Sequence, residues 1–126
     1  MIIADTSIWI EFLKKNEIYF QYFKKLLENQ KILGINIVFG ELLQGAKSQK
    51  EIEIIKMYWS FIPKVINKDI EIESGIYSSK NNLINKGVGL VDSIIIVSAI
   101  KTKSKIWTLD KKLLKVIDED LSYRFN

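Results

Sequence analysis

Four acidic residues occupy comparable positions in the predicted secondary structure of this 126-residue chain. Asp5 and Asp110 each follow an apolar run of strand length, "MIIA" and "KIWTL", and each precedes a predicted helix. Asp92 lies at the start of the apolar helix "VDSIIIVSAIKTK", and Glu41 lies in the first turns of the helix "IVFGELLQGAK". Because ligands bind beyond the carboxyl ends of the strands in a parallel sheet, we expect all four side chains near one edge.

A cluster of carboxylates at such an edge predicts a site for a divalent cation. Converging carboxylates repel one another, so their pKa values are expected to rise, and a cation would relieve the repulsion. Oxygen ligands without His or Cys point to Mg²⁺ or Mn²⁺, which can activate water and stabilise a phosphodiester under attack. The hydroxyls of Thr6, Ser7 and Thr108 lie beside the acids in the sequence and could hydrogen-bond a carboxylate or a water. Their alternative role is helix capping.

Each acid also has a purely structural explanation. Asp5, Asp92 and Asp110 are all good helix N-caps, a role that by itself stabilises a helix by roughly 0.5–2 kcal/mol. Glu41 could be an ordinary exposed helix residue, although its apolar surroundings predict a buried helix, where a lone carboxylate is costly. The prediction of chemistry therefore depends on the set of four acids and not on any one of them.

The composition excludes several common catalytic schemes. The chain has no histidine and no cysteine, which rules out Ser-His-Asp and Cys-His nucleophiles, disulfides and the usual zinc ligands. A hydrophobic fraction of 48% is sufficient for a core, and a net charge of +4 is compatible with a polyanionic partner. The longest apolar run, "SIIIVSAI", is too short to span a bilayer, and no secretory leader is evident. We therefore expect a cytoplasmic protein that does not bind membranes.

The elements that must position the acids alternate between strands and helices. Strands are predicted at 1–4, 31–36, 64–67, 105–109 and 121–125. Helices are predicted at 7–15, 17–30, 37–47, 48–62, 69–87, 91–103 and 110–117. This alternation indicates an α/β protein with a mainly parallel sheet, and the length fits a single domain over residues 1–126.

Four segments, in order along the chain, resemble the acidic motifs of PIN-domain ribonucleases: "IIADTSIWIEFL", "INIVFGELLQGA", "GVGLVDSIIIVSAI" and "IWTLDKKL". The likeness runs from residue 2 to about residue 115, and the short chain is most similar to the VapC-type toxins of toxin–antitoxin pairs. It implies a three-layer α/β/α PIN-like fold with a central, mainly parallel sheet. It also implies an acidic pocket that binds Mg²⁺ or Mn²⁺ and cuts RNA.

The resemblance further assigns roles to individual residues. The four acids of the family, which form its metal site, match Asp5, Glu41, Asp92 and Asp110 in this sequence. Thr6 matches the hydroxyl that follows the first acid, and Thr108 matches a hydroxyl two places before the fourth. Members of the family commonly form homodimers and are silenced by a cognate antitoxin protein that occupies the active-site groove.

Basic and aromatic residues offer further interactions with RNA. Lys111 and Lys112 are next to the fourth acid and could contact the RNA backbone, or they could simply form a solvated helix face. Trp9, Trp59 and Trp107 could stack on bases, although tryptophans more often belong to the core.

The leading hypothesis is a metal-dependent endoribonuclease that acts as a toxin, and other functions stay open. A receiver-like phospho-accepting signalling domain also uses Mg²⁺ and carboxylates at a sheet edge, but it has paired acids after its first strand, where "IIADTS" offers only Asp5. A haloacid-dehalogenase-like phosphatase needs a second Asp where this chain has Ser7. A non-catalytic PIN-like domain would bind RNA without cutting it.

Overall fold

The computed structural model describes residues 1–125, and within that range it contains two regular strands and seven α-helices. The strands are β1 (Ile2–Ala4) and β2 (Lys105–Trp107). The helices are α1 (Thr6–Leu13), α2 (Phe20–Glu28), α3 (Asn36–Gln44), α4 (Gln49–Phe61), α5 (Ile70–Lys80), α6 (Leu90–Thr102) and α7 (Lys111–Val116). Two 3₁₀ turns, Ile84–Lys86 and Glu119–Leu121, complete the regular structure in this range.

The sheet is parallel throughout the described residues. β1 and β2 pair in parallel, with Ala4 opposite Trp107. Single parallel bridges extend this pair on both sides, and they join Ile2 to Ile32, Gly34 to Lys64, and Ile106 to Ser122. The extended segments therefore lie in the order 64, 32–34, β1, β2 and 122, which confirms the predicted α/β fold with a parallel sheet.

The prediction of full strands at 31–36, 64–67 and 121–125 is wrong, because each segment contributes only one or two bridging residues. The first is cut short where α3 begins. Pairing of the second is confined to two hydrogen bonds of 2.8 Å, from the Gly34 N–H to the Pro63 carbonyl and from the Val65 N–H to the Gly34 carbonyl, before the turn at 68–69 leads into α5. In the third, the 3₁₀ turn Glu119–Leu121 takes up the start of the predicted strand.

The predicted helix over 69–87 also ends earlier than expected. The side-chain amide of Asn81 donates to the Tyr77 carbonyl at 2.9 Å, and Asn82 adopts a left-handed φ of +55°. These two residues end α5, and a separate 3₁₀ turn carries the chain to Gly87. Gly87 itself has a φ of +78°, a conformation that glycine adopts without steric cost.

Helices cover both faces of the sheet. β1 is buried along its whole length, as expected for a parallel strand with cover on each side. Trp107 contacts Phe23 of α2, and the alternation of strand side chains directs the fully buried Ile106 to the opposite face. α1 packs against α2 and α3, whereas α5 packs against α6. Within residues 1–125, every helix falls short of the length and apolarity that a bilayer crossing requires.

Candidate active site

A cavity of about 300 Å³ opens beyond the carboxyl ends of the two paired strands. Its lining consists of Asp5, Thr6, Ser7, Glu41, Val91, Asp92, Ile95 and Asp110. The parallel register explains much of this convergence. Since Ala4 lies opposite Trp107, the residues that follow them leave the same edge of the sheet side by side. The structure thus brings together all four acids that the sequence pattern singles out.

Asp5 is the most buried of the acids, with 5% of its surface exposed. One carboxylate oxygen, Oδ1, accepts from the backbone N–H of Ile8 at 3.2 Å and from Ser7 Oγ at 2.5 Å. The other, Oδ2, accepts from Thr108 Oγ1. Burial raises the pKa of Asp5, and these hydrogen bonds lower it, with burial the larger effect. Asp5 therefore caps α1. Its carboxylate also lines the cavity, where burial makes its negative charge unfavourable.

Two hydroxyls tie the ends of β1 and β2 together around Asp5. Ser7 Oγ donates to Asp5 and accepts from the backbone N–H of Leu109 at 3.1 Å. Thr108 Oγ1 donates to Asp5 and accepts from the backbone N–H of Asp110 at 2.9 Å. Each hydroxyl thus links the first acid to the backbone that leads to the fourth.

Glu41 reaches the cavity from α3 but is an exposed residue. Its Oε1 accepts from Thr6 Oγ1 at 2.6 Å, so the first turn of α1 holds this carboxylate in place. The prediction that Glu41 lies on a buried helix is wrong for this side chain. α3 buries Val38, Phe39 and Leu42 on one face, and Glu41 lies outside that buried set at the mouth of the cavity.

The pKa of Asp92 shows that the negative charges of the four acids act on one another. Its pKa is raised to about 6, first by burial and then by the negative charges of Asp110, Asp5 and Glu41. Among the residues that the structure describes, no hydrogen bond offsets these effects. The alternative that Asp92 is an N-cap is wrong, because Gly89 occupies the cap position of α6. Asp92 lies instead in the first turn, where the helix dipole favours a negative charge.

Asp110 combines the two roles that the sequence left open. Its Oδ1 accepts from the backbone N–H of Lys112 at 2.8 Å, and more weakly from that of Leu113 at 3.4 Å, which caps α7. The same residue lines the cavity, and its charge is the largest Coulombic contribution to the raised pKa of Asp92.

A comparison of the chain with models of known protein families identifies its family. The family model described as "PIN domain" matches residues 2–119. The chain belongs to the PIN-domain family. This finding confirms the family that the four acidic motifs predicted, and PIN domains are generally nuclease-like domains that act on RNA or other nucleic acid. No curated protein matches the chain.

The donor set of this PIN domain fits a hard divalent cation. The cavity offers carboxylate and hydroxyl oxygens, and the sequence has neither imidazole nor thiolate to compete with them. Burial is the largest cause of the raised pKa of Asp92, and the negative charges of the three other acids, which a cation would neutralise, raise it further. Within residues 1–125, no three acidic side chains are already grouped as a ready-made metal site. Mg²⁺ commonly retains several waters and needs only one or two direct carboxylate ligands.

Two residues that line the cavity of the PIN domain were not predicted from the sequence. Val91 and Ile95 line the cavity from α6, on either side of Asp92. Ile95 is 1% exposed, and such apolar neighbours withhold water from the carboxylate and so raise its pKa. Their i, i+4 spacing around Asp92 was the available signal, since residues four apart lie on one helix face.

The predicted RNA interactions have different outcomes. Lys111 and Lys112 are exposed on the first turn of α7 and are not part of the cavity lining, so their contact with RNA stays a prediction. Trp9 and Trp107 are 1% and 3% exposed, which makes base stacking on them wrong and their alternative role in the core correct. Trp59 is half-buried, and Lys64 Nζ lies 4.9 Å from its ring centroid.

Replacement of Thr108 by valine is expected to lower the free energy of unfolding by about 1–3 kcal/mol. The change leaves one oxygen of the buried Asp5 carboxylate, Oδ2, and the Asp110 N–H each without this partner at nearly constant side-chain volume, while Oδ1 keeps its hydrogen bonds from Ser7 and Ile8. Urea unfolding at neutral pH measures the difference. Ser60→Ala is the control, because it removes an exposed hydroxyl that bonds only within α4. Equal stability of the two variants would contradict the positioning role of Thr108.

Proposed function

We propose that this PIN domain is an endoribonuclease that depends on Mg²⁺ or Mn²⁺ and hydrolyses RNA phosphodiester bonds. The observation that carries the proposal is electrostatic. Carboxylates from four separate parts of the chain line one cavity, and burial, together with the charges of the other three, raises the pKa of Asp92. A protein bears such a cost most readily where the charges serve a function.

The residues would divide the work as follows. Asp92 and one neighbouring acid, Asp5 or Asp110, would hold the cation directly, and the other would act through bound water. Ser7 and Thr108 would keep Asp5 in place by the hydrogen bonds described above. When bound, the cation lowers the pKa of a nearby water and neutralises charge on the phosphodiester.

The exposed Glu41 has a separate position, at the mouth of the cavity. With one oxygen fixed by Thr6, it can accept a proton from a water that approaches the phosphodiester. The family resemblance matched the four acids, Thr6 and Thr108 and placed Glu41 in the metal site, whereas the role of Ser7 is proposed from its hydrogen bonds.

The proposed biological role is that of a cytoplasmic toxin in a type II toxin–antitoxin pair. The support is the likeness of the four motifs to VapC-type toxins, together with an apolar groove between α2 and α4 that a protein partner could cover. Met57 and Phe61 of that groove are 55% and 50% exposed. The proposed partners are a cognate antitoxin and a second copy of this chain.

Cleavage of purified RNA tests the enzymatic proposal. We expect fragments from total RNA with Mg²⁺ or Mn²⁺, and intact RNA when a chelator is present. Binding without cleavage in both cations would instead favour a non-catalytic PIN-like domain. Mg²⁺-dependent labelling of the protein by a small phosphodonor would favour the receiver-like alternative.

Growth of a bacterial host tests the toxin role. Induction of the chain should arrest growth, and co-expression of the proposed cognate antitoxin should restore growth. Normal growth with an active enzyme in the cells would contradict the toxin role and leave the nuclease proposal intact.

Mg²⁺ or Mn²⁺ is also expected to stabilise the protein, independently of activity. At a concentration about 100 times its dissociation constant, a cation that binds only the folded state adds about 2.7 kcal/mol to the free energy of unfolding. We expect a rise in Tm for the parent and a much smaller rise for Asp92→Asn, measured by calorimetry at constant ionic strength. Glu71→Gln, an exposed change on α5, should respond like the parent. Equal shifts in all three proteins would contradict a cation site at Asp92.

A further inference from the structure

A second groove, of about 380 Å³, lies beside the acid cavity and is lined by parts of α1, α3 and α4. We call it the α1–α3 groove. Glu41 lines both the groove and the cavity, so the two spaces are adjacent, on either side of this side chain. Its apolar lining includes Ile10, Leu13 and Ile55. Ile10 is 42% exposed, so part of this apolar surface is open to a ligand.

Two lysines line the groove. Lys14 ends α1 and Lys47 follows the end of α3, and both are exposed. α1 begins at Thr6, which bonds Glu41, and Lys14 is eight residues farther on. At 1.5 Å of rise per residue, that places Lys14 about 12 Å along the helix axis from the cavity.

The acids near these lysines have hydrogen bonds or ion pairs of their own, and one of them, Glu51, also lines the groove. Glu51 accepts from the backbone N–H of Lys47 at 2.8 Å and from Ser48 Oγ at 3.4 Å, hydrogen bonds that belong to the start of α4. Glu11 approaches Lys14 Nζ only at 3.7 Å, and the Lys14 side chain is 67% exposed. Exposed ion pairs of this kind contribute little, so Lys14 can exchange this partner for a phosphate.

We infer that the α1–α3 groove binds the nucleotides of a single-stranded RNA that flank the cleaved bond. This inference rests on the function proposed above. An unstacked base lies on Ile10 and its apolar neighbours, and Lys14 and Lys47 bind the phosphate beyond it. Base pairs in a duplex keep their faces stacked, so only a single strand can lay a base on this surface.

The length and salt dependence of RNA binding test the groove. Binding is measured in the Asp92→Asn background, with oligonucleotides that extend on either side of the preferred cut site. We expect an extension on one side to tighten binding, and the added change Lys14→Ala/Lys47→Ala to remove most of that gain. The slope of log K against log salt should fall by about 1.4, because each of the two lysines releases about 0.7 of a counterion when it neutralises a single strand. Lys115→Ala, an exposed lysine outside both spaces, should keep the original slope.

A second variant tests the place of the base. An abasic nucleotide at the flanking position should weaken binding to the protein with Ile10 intact, and should have little effect once Ile10→Ser is present. An equal effect of the abasic site in both proteins would contradict a base on the apolar surface.

The results separate this inference from the proposed function. If the parent cuts RNA but the lysine changes leave both the length gain and the salt slope intact, the RNA assignment is overturned and the groove is left to a protein partner. If the extended RNA binds in the groove and the parent never cuts it, the nuclease proposal fails and the groove assignment holds.

Discussion

Replacement of Asp92 by asparagine is expected to lower the rate of RNA cleavage at least about 100-fold. Loss of an outer partner of a metal site already costs about 10- to 100-fold in affinity or activity, and Asp92 is proposed as a direct ligand. The amide keeps the shape of the side chain but cannot supply the negative charge. Cleavage of a labelled RNA at saturating Mg²⁺ measures the effect. Glu71→Gln, on the exposed face of α5, should cleave at the parental rate.

The same variant is expected to be more stable than the parent above about pH 7. The folded-state pKa of Asp92 is about 6, against an ordinary value of 3.8, so folding favours the protonated acid. The contribution of Asp92 to stability is therefore fully present below pH 3.8 and is lost as the pH rises through about 6.

An amide at residue 92 has no charge to lose, so it avoids that penalty. Because Asp92 is only half-buried, solvent screening leaves a gain on the order of 1 kcal/mol, or about 4 °C in Tm. Thermal unfolding in chelator at several pH values measures it. A variant that is both inactive and unfolded would contradict this account, as would a gain that persists unchanged in acid.

The convergence of the acids could be predicted because it follows from local patterns and one topological rule. Asp5 and Asp110 each end an apolar strand, and adjacent parallel strands place such positions at one edge. The position of Asp92 could be predicted from the apolar run that follows it. Because α6 is buried from Ser93 to Ala99, its first turn, which includes Asp92, is held in one position.

The sequence could not reveal which way side chains face when several elements pack together. The apolar neighbours of Glu41 predict a buried helix, yet α3 buries only part of its surface and leaves this residue exposed at the cavity mouth. The outer strands are shorter than predicted for a related reason. Whether 64–67 forms a ladder or a single bridge depends on the turn and helix on either side, and Pro63 removes one donor from that edge.

The sequence also did not show which aromatic residues are buried. Replacement of one of them, Trp9, is expected to have the largest effect on stability. Trp9→Ala should lower the free energy of unfolding by about 3–5 kcal/mol, the usual cost of removing a large buried aromatic side chain. The Trp9 ring packs against Phe23 and Phe39, both at 4.9 Å between centroids, and also against Phe12 and Tyr58 at 6.0 Å. One side chain therefore holds α1, α2, α3 and α4 together.

Trp59→Ala is the matched control, because it removes the same side chain from a half-buried position. Urea unfolding should show a clearly smaller loss for this variant than for Trp9→Ala. Trp9 lies one turn from the capping residue Asp5, so its removal also loosens the start of α1 and the acids attached to it. RNA cleavage should therefore fall in Trp9→Ala even under conditions where the variant remains folded. Similar stability losses for the two tryptophans would contradict the view that Trp9 is the packing centre that positions the acidic site.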